Sequence, residues 1–130
     1  MTHRHDETTG RIPALIGMVV RALRQARGLG VNQLGVAAGI EPANLSRFER
    51  GVRGGVHAAK YLDLIAHCLD TRASVLYAVA ELAQTRPEIL DQPERLSRTV
   101  TDLTRLMRAY LELPDTARRR IDAILAENRG

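Results

Sequence analysis

VNQLGVAAGIEPANLSRFERG, residues 31–51, holds two short helical patterns on either side of one glycine. In the first, Leu34, Ala37 and Ala38 recur at helical spacing. Gly39 closes it, because glycine accepts the left-handed backbone of a helix exit without a Cβ penalty. Ile40 is a lone apolar residue in the turn. Glu41-Pro42 opens the second pattern, with proline at the first helical position, where its missing N–H costs nothing. Leu45 and Phe48 form the apolar edge of that helix and leave Asn44, Ser46, Arg47 and Arg50 on the other side. Two short helices about a tight glycine turn make a helix-turn-helix, whose second helix can lie in the major groove of DNA.

Toward the N-terminus, Ile12-Pro13 starts a helix expected to run to about Ala26, with Ile16, Val19, Val20 and Leu23 as its buried stripe. Arg21, Arg24 and Arg27 recur every three residues along one side. Arg21 and Arg27 read either as phosphate contacts or as a solvated face. Residues 1–10 are polar and non-periodic, which predicts a disordered tail. His3 and His5 have no cysteine or carboxylate pattern beside them, so no metal site is expected.

Toward the C-terminus, GVRGGVH, residues 51–57, is a glycine-rich loop in which Arg53 could reach a nucleic-acid backbone and His57 reads as a surface residue. No strand precedes Gly54-Gly55, so the pair carries no nucleotide-binding message. Residues 58–69 read as a fourth helix, with Leu62, Ile65 and Leu69 inward. Thr71 is expected to cap a fifth helix over residues 72–84, with Val75, Leu76, Val79 and Leu82 apolar. These five helices predict one compact all-α domain over residues 11–84.

Residues 85–92, with Pro87 inside and Pro93 just after, read as a linker that holds one helical turn. Beyond it Leu96, Val100, Leu103, Met107 and Tyr110 step by four, three, four and three, which is heptad spacing. Leu106 and Leu111 widen the stripe. Leu113-Pro114 breaks the helix, Asp115 or Thr116 caps another, and Ala117, Ile121 and Ile124 continue the stripe beside Leu125. Such a helical hairpin can fold back on its own domain or form a subunit interface. The stripe alone leaves both open; an interface would make residues 93–130 a dimerisation region. Two heptads are fewer than a coiled coil needs, which points to a packed helical dimer.

Composition narrows the function classes. Aromatics make up 3% of the chain and apolar residues 45%, so the core must be aliphatic, which suits helices. The formal net charge of +4 is unevenly spread: residues 11–60 hold eight basic and two acidic residues, and residues 61–130 hold ten and eleven. The positive surplus coincides with the helix-turn-helix, as a polyanionic partner requires. Cys68, the single cysteine, excludes an internal disulfide and fits a reducing cytoplasm. No apolar run approaches membrane-spanning length, and the N-terminus lacks the apolar stretch of a signal peptide. No metal-ligand cluster, nucleophile–base pair or phosphate loop stands out, which argues against an enzyme. Scarce aromatics argue against reading single-stranded RNA.

The central stretch resembles the lambda-repressor-like helix-turn-helix regulators, also called Cro/cI-type or XRE. The residues that carry the likeness are Leu34-Gly35, Gly39-Ile40, Glu41, Leu45-Ser46-Arg47-Phe48 and Glu49-Arg50-Gly51. Upstream, Gly17, Val20, Arg21, Leu23, Arg24 and Arg27-Gly28 fit the first helix of that family; downstream, Leu62, Ile65, Ala66 and Leu69 fit its fourth. The likeness covers about half the chain. Four positions depart from the pattern. Gly30 stands where Ser or Thr is usual, Val31 where a Gln usually contacts the DNA backbone, Gly35 where Ala is usual, and Gly54-Gly55 where Pro is common. These departures are expected to weaken the second helix and its phosphate contacts.

The resemblance implies a homodimeric, double-stranded-DNA-binding transcriptional regulator, a repressor that occupies an inverted repeat. It assigns base readout chiefly to Arg47, with Ala43, Asn44 and Ser46 secondary, and phosphate contacts to Arg21, Arg50 and Arg53. It also implies that Arg24 pairs with Glu49 and ties the first helix to the recognition helix. Dimer contacts are expected from Leu96, Val100, Leu103, Met107, Tyr110, Ile121 and Ile124. No cofactor is expected, and a small-molecule effector is left open. The alternative is a protein-binding module that keeps the helix-turn-helix as a scaffold and grips a toxin, phage protein or polymerase through its C-terminal helices; Val31 favours it.

Overall fold

The first helix, α1 (Thr2–Ala26), is the element against which most of the others pack. The computed structural model of the chain describes residues 2–51 and 58–128. After α1 come α2 (Val31–Ala38), α3 (Pro42–Glu49), α4 (Ala58–Cys68), α5 (Ala73–Thr85), a 3₁₀ turn (Pro87–Asp91), α6 (Pro93–Glu112) and α7 (Asp115–Glu127). No strand occurs among the described residues, and the fold is all-α. Residues 2–10 continue α1 rather than forming a structureless tail.

The aliphatic stripe of α1, Ile16, Val19, Val20 and Leu23, meets Leu34 and Ala38 of α2, Leu45 and Phe48 of α3, Leu62, Ile65 and Leu69 of α4, and Val75, Leu76 and Val79 of α5 in one core. Burying one such side chain stabilises the fold by about 1.5–3 kcal/mol. Gly17 is there for clearance. A Cβ at this position would sit 2.0 Å from the Phe48 carbonyl oxygen, so α1 can cross the end of α3 closely only without a side chain.

The turn between α2 and α3 is closed by Gly39 at φ 71°, with the Ile40 N–H donating to the Gly35 carbonyl at 2.8 Å. Two departures from the family pattern acquire a reason here. Gly35 is buried, and a Cβ on it would lie 2.7 Å from the Ile40 carbonyl oxygen, so this tight turn needs the glycine. Gly30 lacks a capping hydroxyl, but its N–H donates to Gln33 Oε1 at 2.7 Å, which is the reciprocal half of a capping box.

The C-terminal half departs from the sequence-based expectation. The core does not stop at residue 84: Leu96 and Val100 of α6 are fully buried in it, and Leu103 and Met107 pack against it. Residues 85–92 are no spacer either, since Ile89 and Leu90 of the 3₁₀ turn pack on the same core. Thr71 does not cap α5, whose N-cap is Arg72. Its hydroxyl instead meets the Thr104 hydroxyl at 2.7 Å, while Thr104 donates to the Val100 carbonyl. Among the described residues every buried side-chain nitrogen and oxygen has a hydrogen-bond partner. No helix among them is long and apolar enough to cross a membrane.

Candidate nucleic-acid interface

α3 is a two-sided helix of eight residues. Pro42 stands at its first position, and Leu45, Phe48 and Glu49 form its buried side. Ala43, Arg47 and Arg50 are exposed on the other side, and Asn44 and Ser46 lie half-buried at its edges. Glu49 is the unusual member, a carboxylate that is 3% exposed. An unpaired charge so deeply buried would be strongly unfavourable. Arg24 of α1 resolves this: its Nε donates to Glu49 Oε2 at 2.8 Å and its Nη2 to Glu49 Oε1 at 2.9 Å. Its Nη1 donates to the Leu29 carbonyl at 2.8 Å, so the guanidinium also holds the end of α1. The hydrogen bonds that Arg24 donates to Glu49 raise the Arg24 pKa above its ordinary value, against the opposing effect of burial. Such a two-pronged contact fixes orientation as well as distance. The pitch of α3, and therefore the direction of Arg47, is set by this pair together with Leu45 and Phe48.

Arg21 belongs to the same surface. Gly17, Arg21 and Arg24 lie along one side of α1 at positions i, i+4 and i+7, and both outer members touch the end of α3. Arg21, exposed between them, is therefore placed beside the C-terminal turn of α3. Arg50 also stays at that turn, with its Nε donating to the Ser46 carbonyl at 3.4 Å. Arg21, on the side of α1 that crosses the end of α3, and Arg47 and Arg50 at that end are all exposed, which makes a cationic rim. Arg53 and His57 lie outside the described residues.

Arg27, by contrast, is not part of this rim. Its Nε reaches Ser97 Oγ at 3.4 Å and its Nη2 reaches Thr101 Oγ1 at 3.2 Å, which ties α1 to α6. Burial lowers its pKa, partly offset by Asp70. The phosphate-contact reading of Arg27 is corrected: its i+3 spacing from Arg24 turns it to another neighbour. Val31 is half-buried and packs against the core, so the position where a backbone-contacting glutamine is usual is occupied by packing. Asn32 is exposed in the first turn of α2, where backbone N–H groups lack partners within the helix.

The seven residues expected at a dimer interface divide in the structure. Leu96 and Val100 are inside the chain's own core, which corrects their assignment: a stripe at heptad spacing suits any apolar neighbour, and α1 with α5 supplies one. Leu103 and Met107 also pack against that core. Tyr110 and Ile121 are half-buried and Ile124 is exposed. Among the described residues, no group of three or more His, Cys, Asp and Glu side chains is close enough to hold a metal ion.

A core shared by α1 to α6, a glycine-closed turn and a second helix anchored through a buried arginine–glutamate pair define a helix-turn-helix domain. A family model described as a helix-turn-helix domain matches residues 15–73. An uncharacterised HTH-type transcriptional regulator of Bacillus subtilis (strain 168), RghRB, is 42% identical over 72 residues, covering 55% of this chain and 51% of the relative. The chain therefore spans about half the length of the curated relative it matches. No solved structure matches the chain. The likeness to a helix-turn-helix domain thus covers residues 15–73, less than half of the chain.

Proposed function

We propose that this chain is a sequence-specific, double-stranded-DNA-binding transcriptional regulator. One observation carries the reading. The outward face of α3 bears Arg47 with Ala43, Asn44 and Ser46, while its inward face is clamped to α1 through Glu49 and Arg24. A helix held this rigidly presents the same few side chains to a groove each time, which base readout requires. Arg47 forks onto a guanine edge; Arg21 and Arg50 at the rim, together with Arg53, neutralise phosphates and set register. The name of the Bacillus relative, a transcriptional regulator, supports the same reading.

An operator with twofold symmetry presents its half-sites about one helical turn apart, so reading it takes two copies. The proposed form is a homodimer on an inverted repeat, acting as a repressor by occupying promoter DNA.

The test is double-stranded DNA binding across a salt series. If roughly four to six phosphates are neutralised per dimer, log affinity falls against log salt with a slope near minus four to minus five. A flat salt response would overturn the DNA reading and favour a protein-binding module, in which Val31 has given up the backbone contact.

A further inference from the structure

We infer that a second copy of this chain covers the exposed face of the α6–α7 hairpin, with the two α7 helices running antiparallel. The inference rests on the homodimer proposed above and adds the surface and its orientation.

The surface is what intramolecular packing leaves over. α6 spends Leu96 and Val100 on its own core, yet Leu106 is 64% and Leu111 57% exposed. No residue of α7 is buried, and its Ile124 and Leu125 are 56% and 61% exposed. The hairpin thus carries four large aliphatic side chains open to water, surface that a partner can cover. The hairpin is one unit, because the Tyr110 hydroxyl donates to Asp122 Oδ1 at 3.0 Å across its two helices. α7 has 13 residues, about 20 Å of helix, which is too short to hold two chains by itself. On α6, Leu106 and Leu111 flank the stripe of Leu103 and Met107 and are exposed.

Charge selects the occupant and the direction. The first half of α7 carries Arg118, Arg119 and Arg120; its second half carries Asp122 and Glu127. Side by side and parallel, two copies would stack the arginine runs on each other. Antiparallel, the basic half of each meets the acidic half of the other, so the helix is complementary to itself under a twofold axis. The register follows from the stripe. Arg120 and Glu127 lie seven residues apart on the same flank of Ile121 and Ile124. Layering Ile121 on the partner's Ile124 brings Arg120 opposite the partner's Glu127, and the twofold repeats the pair. Both side chains are exposed, and among the described residues neither has an ion-pair partner within the chain. Arg118 is already engaged with Asp115 and takes no part.

The experiment is a charge reversal read by sedimentation equilibrium of the full chain at micromolar concentration, with circular dichroism to verify folding. Arg120→Glu places glutamate against glutamate at both pairs, and Glu127→Arg places arginine against arginine. Each single variant should dimerise about tenfold or more weakly than wild type. Mixed one to one, they should form a heterodimer of near wild-type affinity, because both pairs are then opposite in charge. Single variants that dimerise like wild type, or a mixture that stays monomeric, overturn the antiparallel surface and leave the homodimer reading standing. A monomeric wild-type chain overturns both. Binding to a single half-site, measured on the same samples, should be unchanged in the variants; its absence in wild type would instead break the DNA reading.

Discussion

α3 and α7 each turn one face to solvent, for opposite physical reasons. α3 has eight residues and is held by three buried ones, Leu45, Phe48 and Glu49, so its outward residues are displayed in fixed positions. α7 has 13 residues and buries none of them, so Ile124 and Leu125 stay open to water. In the function proposed, the polar face of α3 reads DNA and the apolar face of α7 meets a second copy. Both helices are amphipathic, and what distinguishes them is which side the rest of the molecule has taken.

The comparison breaks most sharply at the anchor of α3. Glu49→Ala strands the Arg24 guanidinium, whose side chain is 12% exposed, and should cost about 3–5 kcal/mol. Arg24→Ala should behave alike, and both should lower DNA affinity only to the extent that folding is lost. Thermal melting beside operator affinity checks this. A Glu49→Ala protein that melts like wild type would mean that the pair does not hold α3.

The next effect lies in α6, which belongs to the anchored region for half its length. Leu96→Ala should destabilise the fold by about 2–5 kcal/mol, because its side chain is fully buried in the shared core. A fragment ending at Gln84 should likewise melt well below the full chain, since it lacks Leu96 and Val100. Urea unfolding of both proteins decides the matter; a fragment as stable as the whole would restore a domain boundary at residue 84.

Smaller in folding but specific in function is Arg47→Ala. Stability should stay within about 0.5 kcal/mol of wild type, since Arg47 is exposed. Operator binding should weaken by about 1–3 kcal/mol for each base that Arg47 reads, with relaxed preference at one position. A permuted-operator binding series reads this directly. A fall in affinity that is equal at every sequence would move Arg47 from base readout to phosphate contact.

The smallest folding effect belongs to α7. Ile124→Ser should change monomer stability by no more than about 0.5 kcal/mol, because the side chain is mostly in water already. Unfolding is measured at a concentration below that of dimerisation. A large destabilisation would show that α7 packs on its own domain in solution.

How far the sequence reaches can be seen residue by residue. The positions of α2 and α3 follow from local rules that act within a few residues: apolar spacing, a glycine at the helix exit, a proline at the helix start. The core stripe of α1 and the inward residues of α4 and α5 follow in the same way. The pairing of Arg24 with Glu49 came from family likeness rather than from spacing, since 25 residues separate the two.

Where the sequence was silent, the missing information was long-range. The heptad-like stripe of α6 states that the helix needs an apolar neighbour without stating which, and only the folded chain places Leu96 and Val100 against α1 and α5. Arg27 and Arg21 are alike in composition and spacing, yet the turn of α1 sends one to Ser97 and Thr101 of α6 and leaves the other on the rim beside α3. Thr71 has the chemistry of a helix cap, but a hydroxyl on Thr104, 33 residues away, claims it. Gly17 and Gly35 read as ordinary or weakening residues until backbone carbonyls are found where their Cβ atoms would be. Periodicity and caps are properties of neighbours along the chain, so the sequence alone determined the helices and the motif. Partner choice depends on which surfaces meet after the chain has folded, so the tertiary structure decided which faces are core and which are left to act.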